Sequence, residues 1–550
     1  MPGARGKDPD LRAGKKACVR ISGGDPVIAG PGQAALKKIY NYIIEDSARF
    51  ARREQFMDTK LQQARKYEEV YGDRILERDR PLFHVVPRVG WMNDPNGFSV
   101  YKGEYHLFYQ YYPYNTIWGP MHWGHVKTKD LVRWEWLPAA IAPDEEYDNA
   151  GCFSGSAVEM PDGRQLLMYT GVKERQREDG YIESRQMQCV AFGDGIDYEK
   201  YENNPVLTSA DLPEGWSAVD FRDPKIWRDE KDDCYYAVVA NRTMDGSGAI
   251  LLYRSADAMH WEMLSVLDRS RNEYGRMWEC PDFFMMDDHA ILITSPQEML
   301  SRGRAYHNGF GNIYLIGSFD RENWKFTRKA VHAIDYGLDF YAPQTLLAPD
   351  GRRIMIAWMQ SWESSHDHVA VGSWFGMMTL PRELSLKKGR LIQQPVRELE
   401  NYRTNAVFYT DVDVQDRIQL PSVQGRCVDL IVTVRPSGGK LYDKFIIKVA
   451  KDTRFYTSII YSPGESILTF DRSNSGLRRD IVSTREVVTR FRDGKVRLRI
   501  IMDRYSVEVF VNNGEQAISS TIFTEQSAEG ISFECEGIAI IDVEKYDIVL

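Results

Sequence analysis

Long apolar runs, paired cysteines and a surplus of positive charge are all lacking in this sequence, and each lack excludes a class of function. No run approaches the roughly 20 apolar residues that span a bilayer. Residues 1–32 mix Gly, Pro, Lys and Arg without the apolar stretch of a secretory signal, and read as disordered or tag-like. The 7 cysteines are scattered, odd in number and never spaced Cys-x-x-Cys. They read as the reduced thiols of a cytoplasmic protein, with neither a disulfide framework nor a zinc site. The 10 histidines show no ligand spacing, so neither a metal nor a cofactor is expected. A net charge of −9 argues against nucleic acid or an anionic membrane as partner. Asn241-Arg242-Thr243 matches a glycosylation sequon, but nothing else points to secretion.

What is present is a globular composition, 43% hydrophobic and 27% charged, with 13 Trp and 30 Tyr. Flat rings suit β-structure and also stack on sugar faces. At 550 residues, two or three domains are expected. From Ala34 to about Tyr71 the pattern is helical. Leu36, Ile39, Tyr40, Ile43 and Ile44 recur at three- and four-residue steps, and Gly72 is placed to end the helix. This predicts a helical arm over 33–80, docked on the main body or serving as an oligomer contact.

After Pro81 the helical period gives way to short strands, among them Tyr105–Tyr111, Gln165–Thr170, Tyr235–Ala240, Ala249–Ser255, Ala290–Ser295, Asn312–Ser318 and Arg353–Trp358. A repeat runs through them: an aspartate followed four residues later by an aromatic, at Asp130/Trp134, Asp194/Tyr198, Asp257/Trp261 and Asp320/Trp324. The aspartates are spaced by 64, 63 and 63 residues, and Thr128, Ser255 and Ser318 precede three of them by two positions. One four-stranded sheet per unit of this size is the signature of a propeller blade, with each aspartate closing a turn between two strands. Residues 81–395 hold five units. Residues 405–550 alternate in the manner of a β-sandwich, with a hairpin signal at Asn513-Gly514 and a linker over 396–404. The expected fold is all-β: a five-bladed β-propeller followed by a C-terminal β-sandwich, with an N-terminal helical arm, and any homo-oligomer is expected to form through the arm or the sandwich.

The repeat sorts the acids. Asp94 lies 36 residues before Asp130, Asp223 34 before Asp257, and Glu279 41 before Asp320, while Cys152–Gly155 lies near 40 before Asp194. Equivalent places in successive blades put these near one end of the innermost strands, in a funnel on the pseudo-symmetry axis. Asp94 is expected at a strand end, held by the Pro95-Asn96-Gly97 turn among amide donors that favour its charge; the alternative is a loop-capping residue without chemistry. Asp223, beside Arg222, is expected to stay ionised, or to form only a local ion pair. Glu279 is flanked by Trp278 and Cys280, which predicts an apolar site that raises its pKa, or simply a buried hydrogen-bonded acid. Paired carboxylates without a metal pattern or a nucleophilic triad point to glycosyl transfer, one acid attacking and the other donating a proton.

At this point the motifs coincide with a known set. Trp91-Met-Asn-Asp-Pro-Asn-Gly97, Phe221-Arg-Asp-Pro224 and Trp278-Glu-Cys-Pro281 resemble the signature motifs of glycoside hydrolase family 32, the invertases, fructanases and sucrose-6-phosphate hydrolases. Asn115–His125, Phe153-Ser-Gly-Ser156, Tyr341-Ala-Pro-Gln-Thr345 and Asp503–Phe510 extend the resemblance from about Pro81 to the C-terminus. The resemblance implies that Asp94 is the nucleophile on a β-linked fructosyl unit, Glu279 the acid/base and Asp223 the transition-state stabiliser. It further implies a fructose subsite of Asn93, Gln110, Trp118, Phe153, Ser154, Arg222, Tyr341 and Gln344. Trp123 reads as blade packing. Fructosyl transfer to a sugar uses the same acids, and a non-catalytic sugar-binding propeller and a metal-dependent hydrolase are the readings from other classes. Sucrose, its 6-phosphate, inulin-type and levan-type fructans all remain open as substrates. The loops Lys173–Gln186 and Met299–Asn312 are expected on the aglycone side, with Arg302, Arg304 and His307 either meeting a phosphate or simply solvated.

Overall fold

The computed structural model describes residues 59–363, 373–477 and 482–550. The expected tag-like segment and the predicted helix up to residue 58 lie outside the described residues. Of the arm, a helix Lys60–Tyr67 is described, started by a Thr59/Gln62 capping box and extended by a wider turn, Glu68–Gly72. Gly72 ends it, as the pattern predicts. Arg65 Nε donates to the Ala139 carbonyl at 2.8 Å, and the Ala139 amide donates to Glu68 at 3.0 Å. The helix is thereby docked on Glu135–Ile141, the outer strand of the first blade.

Five antiparallel sheets follow in chain order. Their innermost strands are Gly90–Tyr101, Gly151–Glu159, Arg222–Asp229, Trp278–Met286 and Tyr341–Leu347. The strands anticipated from alternation in the propeller are all found, most within two residues of their expected limits, while the one expected over Gln165–Thr170 runs on to Gln176. The repeat aspartates do one job four times. Asp130, Asp194, Asp257 and Asp320 each accept two backbone N–H groups two and three residues on, at 2.8–3.2 Å. Each closes the turn from the third to the fourth strand of its blade, because a short carboxylate reaches its own downstream amides. The fifth blade turns instead at Lys388-Gly389, which is why the period stops there.

The ring closes through an excursion between the second and third strands of the last blade. Its residues Trp374–Phe375 run parallel to the first inner strand, Gly90 opposite Trp374 and Trp91 opposite Phe375. Gly90 takes φ +78°, and a Cβ there would lie 2.2 Å from the Tyr112 carbonyl oxygen, so only glycine fits this closure.

Ten strands between Arg403 and Ile548 form the C-terminal sandwich as one hydrogen-bonded network folded on itself. The long strand Gly530–Ile548 passes between layers: its first part pairs with Lys444–Lys451 and its second with Val428–Pro436. The Asn513-Gly514 hairpin is present, with Asn512 and Asn513 both at positive φ.

The two halves are joined by buried charge. His84 Nδ1 is 2.8 Å from Asp503 and Nε2 is 3.0 Å from Glu508, so the ring gives a proton to each and is an imidazolium. Asp503 also accepts the Leu82 and Phe83 amides, and Glu508 pairs with Arg382, itself bonded to Asp335 at 2.9 Å. The Asp503–Phe510 motif is therefore the sandwich's half of a buried ionic lock. Burial works against the His84 charge, but the two carboxylates outweigh it and hold its pKa up at about 9. Burial likewise works against the Asp503 carboxylate, and His84 outweighs that, holding it at about 2.

His84→Ala should cost about 3–5 kcal/mol, because it strands two buried carboxylates. The stability carried by His84 is complete below its ordinary 6.5 and is lost as pH rises through about 9. That carried by Asp503 is complete above 3.8 and is lost as pH falls through about 2. Urea unfolding should give a larger difference between wild type and His84→Ala at pH 6 than at pH 10. An equal difference at both would show that the ring is not charged.

Candidate active site

All five inner strands break register at their funnel ends. The irregularities fall between Met92 and Pro95, Phe153 and Gly155, Arg222 and Lys225, Glu279 and Asp282, and Tyr341 and Gln344. A bulge re-aims side chains out of the pleat and often borders a functional site. Asp223, Cys280 and Ala342 sit in these bulges at φ of 63°, 48° and 52°, conformations that cost on the order of 1–3 kcal/mol for a residue with a Cβ. Asp94 is not at a strand end after a turn, as expected, but inside a continuous strand. Pro95 brings no N–H and Gly97 takes φ +53°, so the would-be turn is absorbed as two successive bulges.

The bulges surround a cavity of about 340 Å³ at the funnel mouth. Asp94 accepts from Asn93 Nδ2 at 3.1 Å and from Ser154 Oγ at 2.8 Å, and Gln110 Nε2 in turn donates to Ser154 at 2.9 Å. The Cys280 thiol lies 3.6 Å from Asp94 and 3.7 Å from Asp223, and the Cys280 amide donates to Asp223 at 2.9 Å. One residue therefore touches two of the acids. Glu279 accepts two bonds from Arg222, at 3.0 and 3.1 Å, and one from the Tyr341 hydroxyl at 2.6 Å. The expected apolar surroundings of Glu279 are absent, because the tyrosine and arginine arrive from other blades. Arg222 stands 4.0 Å from Asp223, at the outer limit of an ion pair, and makes its shorter contacts with Asp220 and Glu279.

Electrostatics follow from this crowding. Burial, then the Glu279 charge, raises the Asp94 pKa, and the bonds from Asn93 and Ser154 only moderate the rise. Burial pushes Asp223 up to about 7 against the pull of Arg222, with Glu279 adding to the rise. Neither matches the expectation of a simply ionised acid, since burial outweighs the neighbouring donors.

Asn93, Asp94, Gln110, Trp118, Phe153, Ser154, Arg222, Asp223 and Glu279 all line the cavity. Trp118 is 46% exposed and meets Phe153 edge-on, whereas Trp123 is fully buried. Tyr341 reaches the site through Glu279. Gln344 does not line it: its side chain accepts from the Phe98 amide and donates to the Gly155 carbonyl, tying three inner strands together behind the wall. Gln186, Asp220, Gln297 and Trp362 line the cavity without having been singled out as contacts. Asp220 stood two residues before Arg222 and was within reach of sequence reasoning; Gln297 and Trp362 carried no spacing signal. Arg302 and Arg304 face a different cavity, below the funnel and against the sandwich.

A propeller funnel with three acids, an aromatic wall and orienting amides defines a carbohydrate-active hydrolase. Residues 84–395 match the model of the glycosyl hydrolases family 32 N-terminal domain, and residues 398–548 that of the family 32 C-terminal domain. The chain is 39% identical to a raffinose invertase of Escherichia coli over 84% of its length and 93% of the relative's. It is 37% identical to a sucrose-6-phosphate hydrolase of Zymomonas mobilis, over 86% and 92%. The solved structure of the Bombyx mori GH32 β-fructofuranosidase BmSUC1 superposes with a TM-score of 0.75 at 35% identity, covering 88% of this chain and 97% of that one. The chain belongs to glycoside hydrolase family 32.

A carboxyl whose folded pKa is raised loses stability as pH rises from its ordinary 3.8 through about 7. Asp223→Asn should therefore stabilise the fold at pH 8 by on the order of 1 kcal/mol or more, and by much less at pH 5. Thermal unfolding at the two pH values checks this, and an identical shift at both would contradict it.

Proposed function

We propose that the chain is a retaining β-fructofuranosidase in which Asp94 attacks the anomeric carbon, Glu279 is the acid/base and Asp223 holds fructose hydroxyls. The single observation carrying this reading is the convergence of the three acids on one cavity. The Asp94 carboxylate forms a bond to the anomeric carbon as the glycosidic C–O bond breaks, and Glu279 gives its proton to the leaving oxygen. In the second half Glu279 takes a proton from water, which attacks the same carbon and frees Asp94. Asn93 and Ser154 orient the nucleophile, and Gln110 orients Ser154. Burial, with the Glu279 charge adding to it, raises the proton affinity of Asp94 and Asp223.

Small β-fructofuranosides such as sucrose are the proposed substrates. Among the described residues lining the funnel, Arg222 is the one cation, and Glu279 and Asp220 already hold it. That favours an uncharged sugar over its 6-phosphate. Transfer of the fructosyl unit to a second sugar is the alternative outcome at the same ester. A cytoplasmic location belongs to the same proposal, in keeping with six unpaired cysteines among the described residues.

Asp94→Ala and Glu279→Gln should each lower kcat for sucrose roughly 10³-fold or more without unfolding the protein. Glu279→Gln, but not Asp94→Ala, should regain activity on an aryl fructoside whose leaving group needs no proton. Absence of that selective rescue removes Glu279 from the donor role. Product analysis at high sucrose separates hydrolysis from transfer.

A further inference from the structure

A second cavity, about 780 Å³, lies where the fourth and fifth blades meet the sandwich. Its size is that of a site for a small ligand, and its walls carry a concentration of positive charge opposite to the chain's net −9. Three segments far apart in sequence supply it. Arg302 and Arg304 come from the loop after His289–Pro296. Lys387, Lys388 and Arg390 come from the outer hairpin of the fifth blade. Arg490 and Arg492 come from the sandwich loop before Val496–Asp503.

Against these seven cations the lining holds one acid, Glu515, which is occupied by Arg492 at 2.6 Å. Arg304 is neutralised by Glu486 at 2.7 Å. Arg302 lies over the Tyr274 ring and reaches only the Glu273 carbonyl. Among the described residues, Lys387, Lys388, Arg390 and Arg490 have no carboxylate within ion-pair distance. Like charges brought together from three segments repel, and solvent screening removes only part of that cost inside a concave surface. An anion seated among them relieves it. The free cations stand on both walls, on the propeller hairpin and on the sandwich loop, so a ligand with two separated phosphates meets both. Ile392 and the exposed Val488 add an apolar part to the lining, together with Tyr336.

We propose that this cleft binds a small metabolite carrying two or more phosphate groups, with arginine and lysine side chains of propeller and sandwich closing on it from opposite sides. The sugar or base between the phosphates packs on Ile392 and Val488. The proposal does not depend on which acid attacks in the funnel, and none of these cations belongs to the catalytic cavity.

Isothermal titration of the full chain with fructose 1,6-bisphosphate, ATP and inorganic pyrophosphate, in saturating fructose to occupy the funnel, tests it. At least one probe should bind, more weakly as salt rises. The variant Lys387→Glu/Lys388→Glu/Arg390→Glu should weaken binding about tenfold or more, with sucrose turnover in the absence of probe unchanged. Arg490→Glu, on the opposite wall, should do the same separately and keeps the test valid if the triple variant misfolds. Binding of the sugar bisphosphate alone identifies a sugar phosphate, of ATP alone a nucleotide, and equal binding of all three a site that reads the phosphates only. No binding by any probe, or binding that Arg490→Glu and a correctly folded triple variant leave intact, overturns the proposal.

Discussion

The imidazolium of His84, held between Asp503 and Glu508, is the contact on which the arrangement of this molecule rests. It sits at the entry to the propeller, six residues before the first inner strand begins at Gly90. Two carboxylates buried away from the surface are tolerable only when cations and amides satisfy them, and here His84, Arg382 and three successive backbone groups of Leu82–His84 do so. The same glutamate binds the Leu380 amide, beside the excursion that closes the ring. A break in this network would release the first strand, the closing strand and the sandwich together. That is a reason for an enzyme whose candidate site lies in the propeller to carry a sandwich as well.

A rigid ring also accounts for how the site tolerates its own chemistry. Crowded acids repel, and bulged residues at positive φ are strained, yet both persist because each inner strand is paired within its blade and flanked by the next. Cys280 illustrates the economy of the result: its strained backbone directs an amide to Asp223 while its thiol touches Asp223 and Asp94. Arg222 serves similarly, spanning Asp220 and Glu279 across two blades.

Much of this was legible in the chain. Four aspartates at a near-constant interval marked the blades because each does the same local job, and a local job leaves a local signature. The three acids were legible because equivalent places in successive repeats meet on the axis. What failed to show was anything set by contact across blades. Glu279 looked apolar because its neighbours in sequence are Trp278 and Cys280, whereas its neighbours in space are Arg222 and Tyr341. Gln344 looked like a sugar contact by motif but points between strands.

By itself, then, the order of residues determined the all-β architecture, the five-fold repeat, the placing of three acids in one funnel and the family, since these depend on patterns within a few tens of residues. Tertiary structure alone decided which cation pairs with which acid, how burial moves their proton affinities, and that Arg302 and Arg304 turn toward the sandwich instead of the funnel. The physical reason is that charge and solvation depend on distance through space, and in a closed ring the nearest neighbours in space lie far apart along the chain.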